Sequence, residues 1–96
     1  MLTYKAMYKF ATDGVHAEVL DFPGAISCGR DLAEARRQLG GALVDMAETN
    51  LLRQKPLPIP NPAATDPEAD IEEPIHLLLQ QDAQLLLLPN DVMYID

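Results

Sequence analysis

The chain has 96 residues, of which 48% are hydrophobic, and a formal net charge of −8. This length suits one domain, and the apolar content favours a folded domain over a disordered chain. No apolar run approaches the ~20 residues that a membrane-spanning helix needs, and the negative charge disfavours nucleic acid as the main partner. A single cysteine excludes an internal disulfide, so we expect a cytoplasmic protein.

The first thirty residues predict three short strands. Residues 2–10 alternate apolar and polar side chains, as a strand with one buried face does. Asp13-Gly14 is typical of a hairpin turn, and residues 15–19 alternate again as a second, antiparallel strand. Pro23-Gly24 indicates another turn, after which residues 25–29 predict a third strand.

A long helix is predicted next. Asp31 and Glu34 have the spacing of a capping box, and we expect the helix to end near Arg53. Gly40-Gly41 is unfavourable within a helix, so the sequence predicts either a close packing contact there or a bend. The apolar stripe of this helix consists of Leu32, Ala35, Leu39, Leu43 and Met46.

The remaining residues predict a connector and a last strand. Five prolines between residues 54 and 70 favour an extended path across the surface. Residues 75–79 predict a strand, which a right-handed crossover would place parallel to the first strand. Residues 84–96 fit either strand or helix. The prediction is one α+β domain over residues 1–96, in which a helix packs on a three-stranded antiparallel sheet and a C-terminal strand follows. Its parts are a core (1–53), a connector (54–70) and a C-terminal strand region (71–96).

Leucines are unusually dense near the end of the chain. Residues 77–88 contain seven of them, more than one face of a small sheet needs. We therefore expect a homodimer or tetramer. The residues predicted at this interface are Leu77, Leu79, Leu85 and Leu87.

Acidic residues are also unevenly distributed. Residues 1–65 contain seven acids and seven bases, whereas residues 66–96 contain eight acids and no base. This excess is either a solvated acidic loop or a docking surface for a basic partner. The second interpretation assigns partner binding to Asp66, Glu68, Asp70, Glu72 and Glu73.

The sequence offers few candidates for catalysis. Cys28 lies in an apolar strand and is expected to be a small buried side chain. His16 and His76 belong to separate predicted strands, so we expect neither a metal site nor a cofactor site. Asp13 and Asp21 flank turns, where Asp bonds to nearby backbone amides, and this interpretation is favoured over paired carboxylates of a metal-dependent nuclease.

Aromatic and basic side chains have similarly simple explanations. Tyr4, Tyr8 and Phe10 form a stripe that favours core packing over base stacking, because no basic groove accompanies it. Arg36-Arg37 is expected on a solvated helix face or in an interface. We therefore expect a protein that is not an enzyme.

Residues 4–60 resemble the HicB-like antitoxin domain. The resemblance is carried by an ordered set of short motifs rather than by any one of them. In chain order they are Asp13-Gly14, Val15-His16-Ala17-Glu18-Val19, Asp21-Phe22-Pro23-Gly24, Ser27-Cys28-Gly29, Asp31-Leu32-Ala33-Glu34-Ala35, Ala42-Leu43 and Leu57-Pro58-Ile59-Pro60.

The resemblance implies a partial ribonuclease-H fold without a nuclease site. It also implies a partner, a small HicA-like toxin that cleaves mRNA with a histidine and whose active site the antitoxin covers. Many members add a DNA-binding module at the C-terminus, but residues 66–96 contain no Lys or Arg, so we expect none here. Asp31 also replaces the Thr or Ser that usually caps the family's helix. The alternative is a solitary oligomeric domain of this family without a toxin.

Overall fold

A computed structural model of the chain describes residues 1–78. One antiparallel sheet of four strands, in the order β3-β2-β1-β4, packs against one helix, and the α+β class is therefore confirmed. The elements are β1 (Leu2–Ala11), β2 (Gly14–Val19), β3 (Ile26–Gly29), α1 (Leu32–Leu52) and β4 (Ile71–Leu77). The helix in this part of the chain is not apolar enough over a sufficient length to cross a membrane.

The direction of β4 corrects the sequence prediction. β4 runs antiparallel to β1, with Leu2 opposite Leu77 and Tyr8 opposite Ile71. The connector carries the chain to the far end of β1, where the Asp70 amide donates to the Tyr8 carbonyl oxygen at 2.9 Å. The strand therefore starts there and runs back. It also begins four residues earlier than predicted. Pro74 is tolerated in β4 because, among residues 1–78, this strand lies at the edge of the sheet.

The core lies between α1 and one face of the sheet, which we call the inner face. Side chains from β1 and β2 alternate into this core, and α1 contributes every fourth residue from Ala35 to Ala47, as expected for one face of a helix. Burying each large apolar side chain stabilises the fold by about 1.5–3 kcal/mol. The core residues from these elements are Tyr4, Ala6, Tyr8, Val15, Ala17, Val19, Ala35, Leu39, Leu43 and Ala47.

The turn after β2 supplies a further core side chain. Phe22 is buried and its ring meets that of Tyr4 edge to face, with centroids 5.2 Å apart. Gly24 has a φ of +94°, a conformation that side chains with a Cβ rarely adopt. A Cβ at this position would also lie 2.7 Å from the Met46 Cε. The Pro23-Gly24 turn thus delivers Phe22 into the core while Gly24 makes room for α1.

Only one of the two hydrogen bonds of the predicted capping box forms at the start of α1. The Asp31 carboxylate accepts the Glu34 amide at 2.8 Å. A complete capping box would have Glu34 accept the Asp31 amide, but its carboxylate accepts the Arg30 amide instead, at 2.7 Å. Further along the helix, a Cβ at Gly40 or Gly41 would meet no atom within 4 Å. Close packing is therefore not the reason for this glycine pair.

The other face of the sheet, the outer face, is partly covered by the connector. Lys5, Met7 and Lys9 point to this face because they alternate with the core tyrosines of β1. The Lys5 ammonium donates to the carbonyl oxygens of Pro62 and Ala64, at 3.3 and 2.9 Å. Met7 is completely buried although it lies on the side away from α1. Residues 61–70 therefore form a strap over the β1 half of the outer face.

Candidate protein-binding surface

Asp66 and Glu68 occupy the strap beside Lys9. The Lys9 ammonium lies 3.0 Å from the Asp66 carboxylate and 3.7 Å from that of Glu68. Hydrogen bonds from the Glu68 amide and from Lys9 hold the pKa of the Asp66 carboxyl below its ordinary value. The Asp66 side chain is 23% exposed, whereas that of Glu68 is 82% exposed. Of these two acids, Glu68 is the one available to another molecule.

Glu72 and Asp70 are engaged within the chain. Glu72 accepts the Asp66 amide at 2.9 Å and the Thr65 hydroxyl at 2.7 Å, and it lies 3.6 Å from the Lys5 ammonium. These contacts, the Asp66 amide first, lower the pKa of the Glu72 carboxyl. The Asp70 carboxylate accepts the Phe10 amide at 2.7 Å. Both carboxylates therefore fasten the strap and β4 to the sheet.

Glu73 differs from the other four acids because it points to the inner face. It binds the Arg36 guanidinium of α1 through two hydrogen bonds, at 2.9 and 2.8 Å. Hydrogen bonding to Arg36 lowers the pKa of the Glu73 carboxyl, while burial, with Glu73 nearby, raises the pKa of Tyr8 to about 12. The Arg36 guanidinium carbon lies 5.9 Å from the centre of the Tyr8 ring. This cluster ties α1 to β1 and β4.

Asp21 has a structural role that its place in a turn does not predict. Its two carboxylate oxygens accept the Lys5 amide at 2.9 Å and the Asn61 amide at 2.8 Å. Nearby, the Tyr4 hydroxyl donates to the Pro58 carbonyl oxygen at 2.7 Å. Asp21 thus clamps the start of the strap to β1. Asp13 lies at the opposite end of β2, so the structure does not pair these two carboxylates.

Cys28 is exposed, which corrects the prediction that it is buried. The strand containing it covers the core with Ser27 and Gly29 rather than with Ile26 and Cys28. Cys28 lies directly opposite His16, whose Nε2 is 3.4 Å from the Glu18 carboxylate. A strand of only four residues is too short for its alternation to show which side chains face the core, and the prediction for Cys28 was wrong for this reason.

His76 lies away from that group of residues. It is on β4, opposite Thr3, and its Nδ1 is 3.0 Å from the Thr3 hydroxyl. His16 is instead opposite Lys9 on the other side of β1. The two histidines are not brought together. Within residues 1–78 no three His, Cys, Asp or Glu side chains are arranged to hold a metal ion.

The structure tests some of the predictions made for the aromatic residues and the leucines. Tyr4 and Tyr8 are core residues, but Phe10 is 53% exposed. Leu77, predicted at an oligomer interface, is instead buried in the core of its own chain, so the folded chain does not present it to a partner. Leu79, Leu85 and Leu87 lie outside the described residues.

The outward-facing residues of β2 and β3 form a surface that the sequence patterns did not predict. His16 and Glu18 project from β2, and Ile26 and Cys28 project from β3. Ile26 is 51% exposed, although isoleucine is usually buried. The alternation of residues 26–29 alone favours the opposite orientation, with the apolar Ile26 and Cys28 turned inward, and only the β2–β3 register places all four on one face.

A search of the protein-family models and of the curated proteins finds no match to this chain.

Proposed function

We propose that this chain is the antitoxin of a type II toxin–antitoxin pair. It neutralises a HicA-like mRNA interferase by direct protein–protein binding. The ordered motifs in residues 4–60 and the arrangement of one helix on an antiparallel sheet support this proposal. The resemblance to the HicB-like domain implies half of a ribonuclease-H fold without a nuclease site, and the Asp21 and Glu72 carboxylates accept backbone amides of the chain itself.

The observation that carries the proposal is the excess of carboxylates on the outer face. Lys5 and Lys9 supply two positive charges there, whereas the strap and the neighbouring strands supply five carboxylates. The carboxylates on or beside this face are Glu18, Asp66, Glu68, Asp70 and Glu72. A ribonuclease must present Lys and Arg to RNA phosphates, and an acidic inhibitor gains by meeting those same groups.

Most of the five acids in residues 66–73 have two roles under this proposal. They hold the strap in place, and their remaining oxygen lone pairs add negative potential at the surface. Glu68 is one exception because its side chain is largely exposed, and Glu73 is the other because it binds Arg36 on the inner face. Replacing all five acids at once would therefore loosen the strap, and a loss of binding would not be interpretable.

The test is neutralisation of the product of a short, basic reading frame next to this gene. The two proteins are co-expressed, and cell growth, co-purification and cleavage of an mRNA by the purified toxin are measured. We expect this chain to restore growth and to inhibit cleavage in a stable complex. The proposal fails if the neighbouring product is not toxic, or if it is toxic and this chain neither binds nor inhibits it. The chain would then be better described as a solitary oligomeric domain.

A further inference from the structure

The outer face of the sheet is divided into a covered half and an open half. The strap covers the β1 half, where Met7 is completely buried. No residue of the described range buries the β2–β3 half in the same way, since His16, Ile26 and Cys28 are all exposed and Glu18 is partly exposed. We call this β2–β3 part the open half. Because α1 occupies the inner face, the open half is a part of the sheet that residues 1–78 leave accessible.

The open half combines an apolar side chain with an acidic neighbour. Ile26 lies directly opposite Glu18 in the β2–β3 pairing. Half of Ile26 is exposed, and the Glu18 side chain is 38% exposed. Protein interfaces commonly have this arrangement, an apolar anchor that becomes buried and a polar rim that stays near water.

Charges at the border between the two halves are unbalanced. Lys9 brings one positive charge, while Glu18, Asp66 and Glu68 bring three negative charges. The hydrogen bond from Lys9 to Asp66, with smaller contributions from the other two carboxylates, raises the pKa of Lys9. Lys9 is therefore fully charged and already satisfied by the strap. These four side chains together leave a net charge of −2 at the border, with Glu68 as the most exposed carboxylate.

We infer that the basic ribonuclease partner docks on the open half of the outer face. Ile26 is the apolar anchor of this contact, and Glu18 and Glu68 meet lysines and arginines of the partner. This inference rests on the proposed function and deepens it by assigning the binding surface. A second copy of the chain fits less well as the partner. Two copies that met through this face would bring the negative charges of Glu18 and Glu68 close to the same carboxylates of the other copy, and these would repel each other.

Three variants and a matched control test the assignment. Ile26→Asp removes the anchor, while Glu18→Lys and Glu68→Lys reverse the two rim charges. Asp45→Lys is the control, because Asp45 is exposed on α1, on the other side of the sheet. Far-UV circular dichroism and thermal unfolding verify that each variant folds. Binding is measured by surface-plasmon resonance to the product of the neighbouring basic reading frame, with its catalytic histidine replaced by alanine.

The expected results differ between the anchor and the rim. Ile26→Asp should weaken binding by about tenfold or more, mainly through faster dissociation. Glu18→Lys and Glu68→Lys should each slow association by about three- to tenfold at low salt, and the effect should shrink as salt is added. Asp45→Lys should leave both rate constants within about twofold of the parent chain, because the charge it reverses lies far from the contact.

Two outcomes separate the inference from the proposed function. If the parent chain and all four variants bind equally well, the proposed function stands and the assignment of the open half is overturned. If the parent chain does not bind the probe at all, both are overturned. A change in self-association with Ile26→Asp, without a change in toxin binding, would assign the open half to a second copy and would also overturn the inference.

Discussion

Arg36 on α1 and Glu73 on β4 form a two-point ion pair, with hydrogen bonds of 2.9 and 2.8 Å between guanidinium and carboxylate. Two parallel hydrogen bonds fix the relative position of the two groups better than one bond does. The pair also places the guanidinium beside the Tyr8 ring. It thereby connects the helix to an edge strand that enters the sheet late in the chain.

Removing this ion pair should destabilise the protein modestly. Arg36→Ala should lower the free energy of unfolding by a small but measurable amount, because both side chains are partly exposed and water screens their attraction. Arg37→Ala is the matched control, since Arg37 is its exposed neighbour on α1 and should change stability by less than about 0.5 kcal/mol. Urea unfolding followed by circular dichroism measures both. Equal effects of the two substitutions would contradict this role for Arg36.

The contribution of Glu73 should depend on pH. Its carboxyl has a lowered pKa in the folded protein, so the stabilisation is complete above the pKa of the unfolded chain and is lost as the pH falls through the lower folded value. Comparing urea unfolding of the parent chain and Glu73→Gln at several values between pH 7 and pH 3 measures this. The parent should be more stable at pH 7, and the difference should decrease in acid below pH 4.5, the ordinary Glu value. A difference that stays constant over this range would show that ionisation of Glu73 is not responsible.

Loss of the Asp21 carboxylate should release the strap. Asp21→Ala removes the acceptors of two backbone amides, at Lys5 and Asn61, and should cost about 2–3 kcal/mol. Hydrogen exchange should accelerate at the Asn61 amide and at the amides of residues 63–66 more than at the amides of α1. Asp13→Ala, at the exposed first turn, is the control and should leave exchange in the strap unchanged. Unchanged exchange at Asn61 in Asp21→Ala would exclude the clamp.

Replacing either of the two helix glycines, Gly40 and Gly41, by alanine should make the protein more stable. Gly41→Ala adds a methyl group into open space and removes the helix penalty of glycine, so the protein should become more stable by about 0.5–1 kcal/mol. Gly29→Ala should act in the opposite direction, because a Cβ there would lie 2.9 Å from the carbonyl carbon of Glu34. Thermal unfolding of both variants provides the comparison. A destabilised Gly41→Ala would mean that this glycine has a role in the folded chain beyond its lack of a side chain.

Cys28 should react readily in the folded protein because its side chain is exposed. A thiol reagent such as dithiobis-nitrobenzoate should label one thiol per chain without denaturant. The rate should be close to that of the same chain unfolded in urea, after correction for the effect of urea on the reagent. Protection that disappears only on unfolding would contradict the exposed position of β3.

Local sequence patterns predict much of this fold because strands, turns and helix caps depend mainly on residues close together in the chain. The alternation in residues 2–10 and the turn at Asp13-Gly14 give the first hairpin, and Asp31 marks the start of α1 within one residue. The direction of β4 depends instead on a long-range contact, the Asp70 amide on Tyr8, which no periodicity contains.

The candidate surface was predictable only in outline. Charge counting identifies the acidic segment, but it does not reveal that Lys5 and Lys9 would meet it, because those lysines are about sixty residues away in the chain. It likewise misses Ile26, whose exposure follows from the register between β2 and β3.

The position of β1 between β2 and β4 has a consequence for the order of folding. The hairpin with β2 closes through a two-residue turn, whereas Leu2 must find Leu77 across nearly the whole described chain. Local hairpins form in microseconds, but distant pairings are delayed by the entropy of closing a long loop. Docking of β4 should therefore be a late step. Because the ion pairs of Lys5 and Lys9 form in that step, added salt should slow it while leaving hairpin formation unaffected.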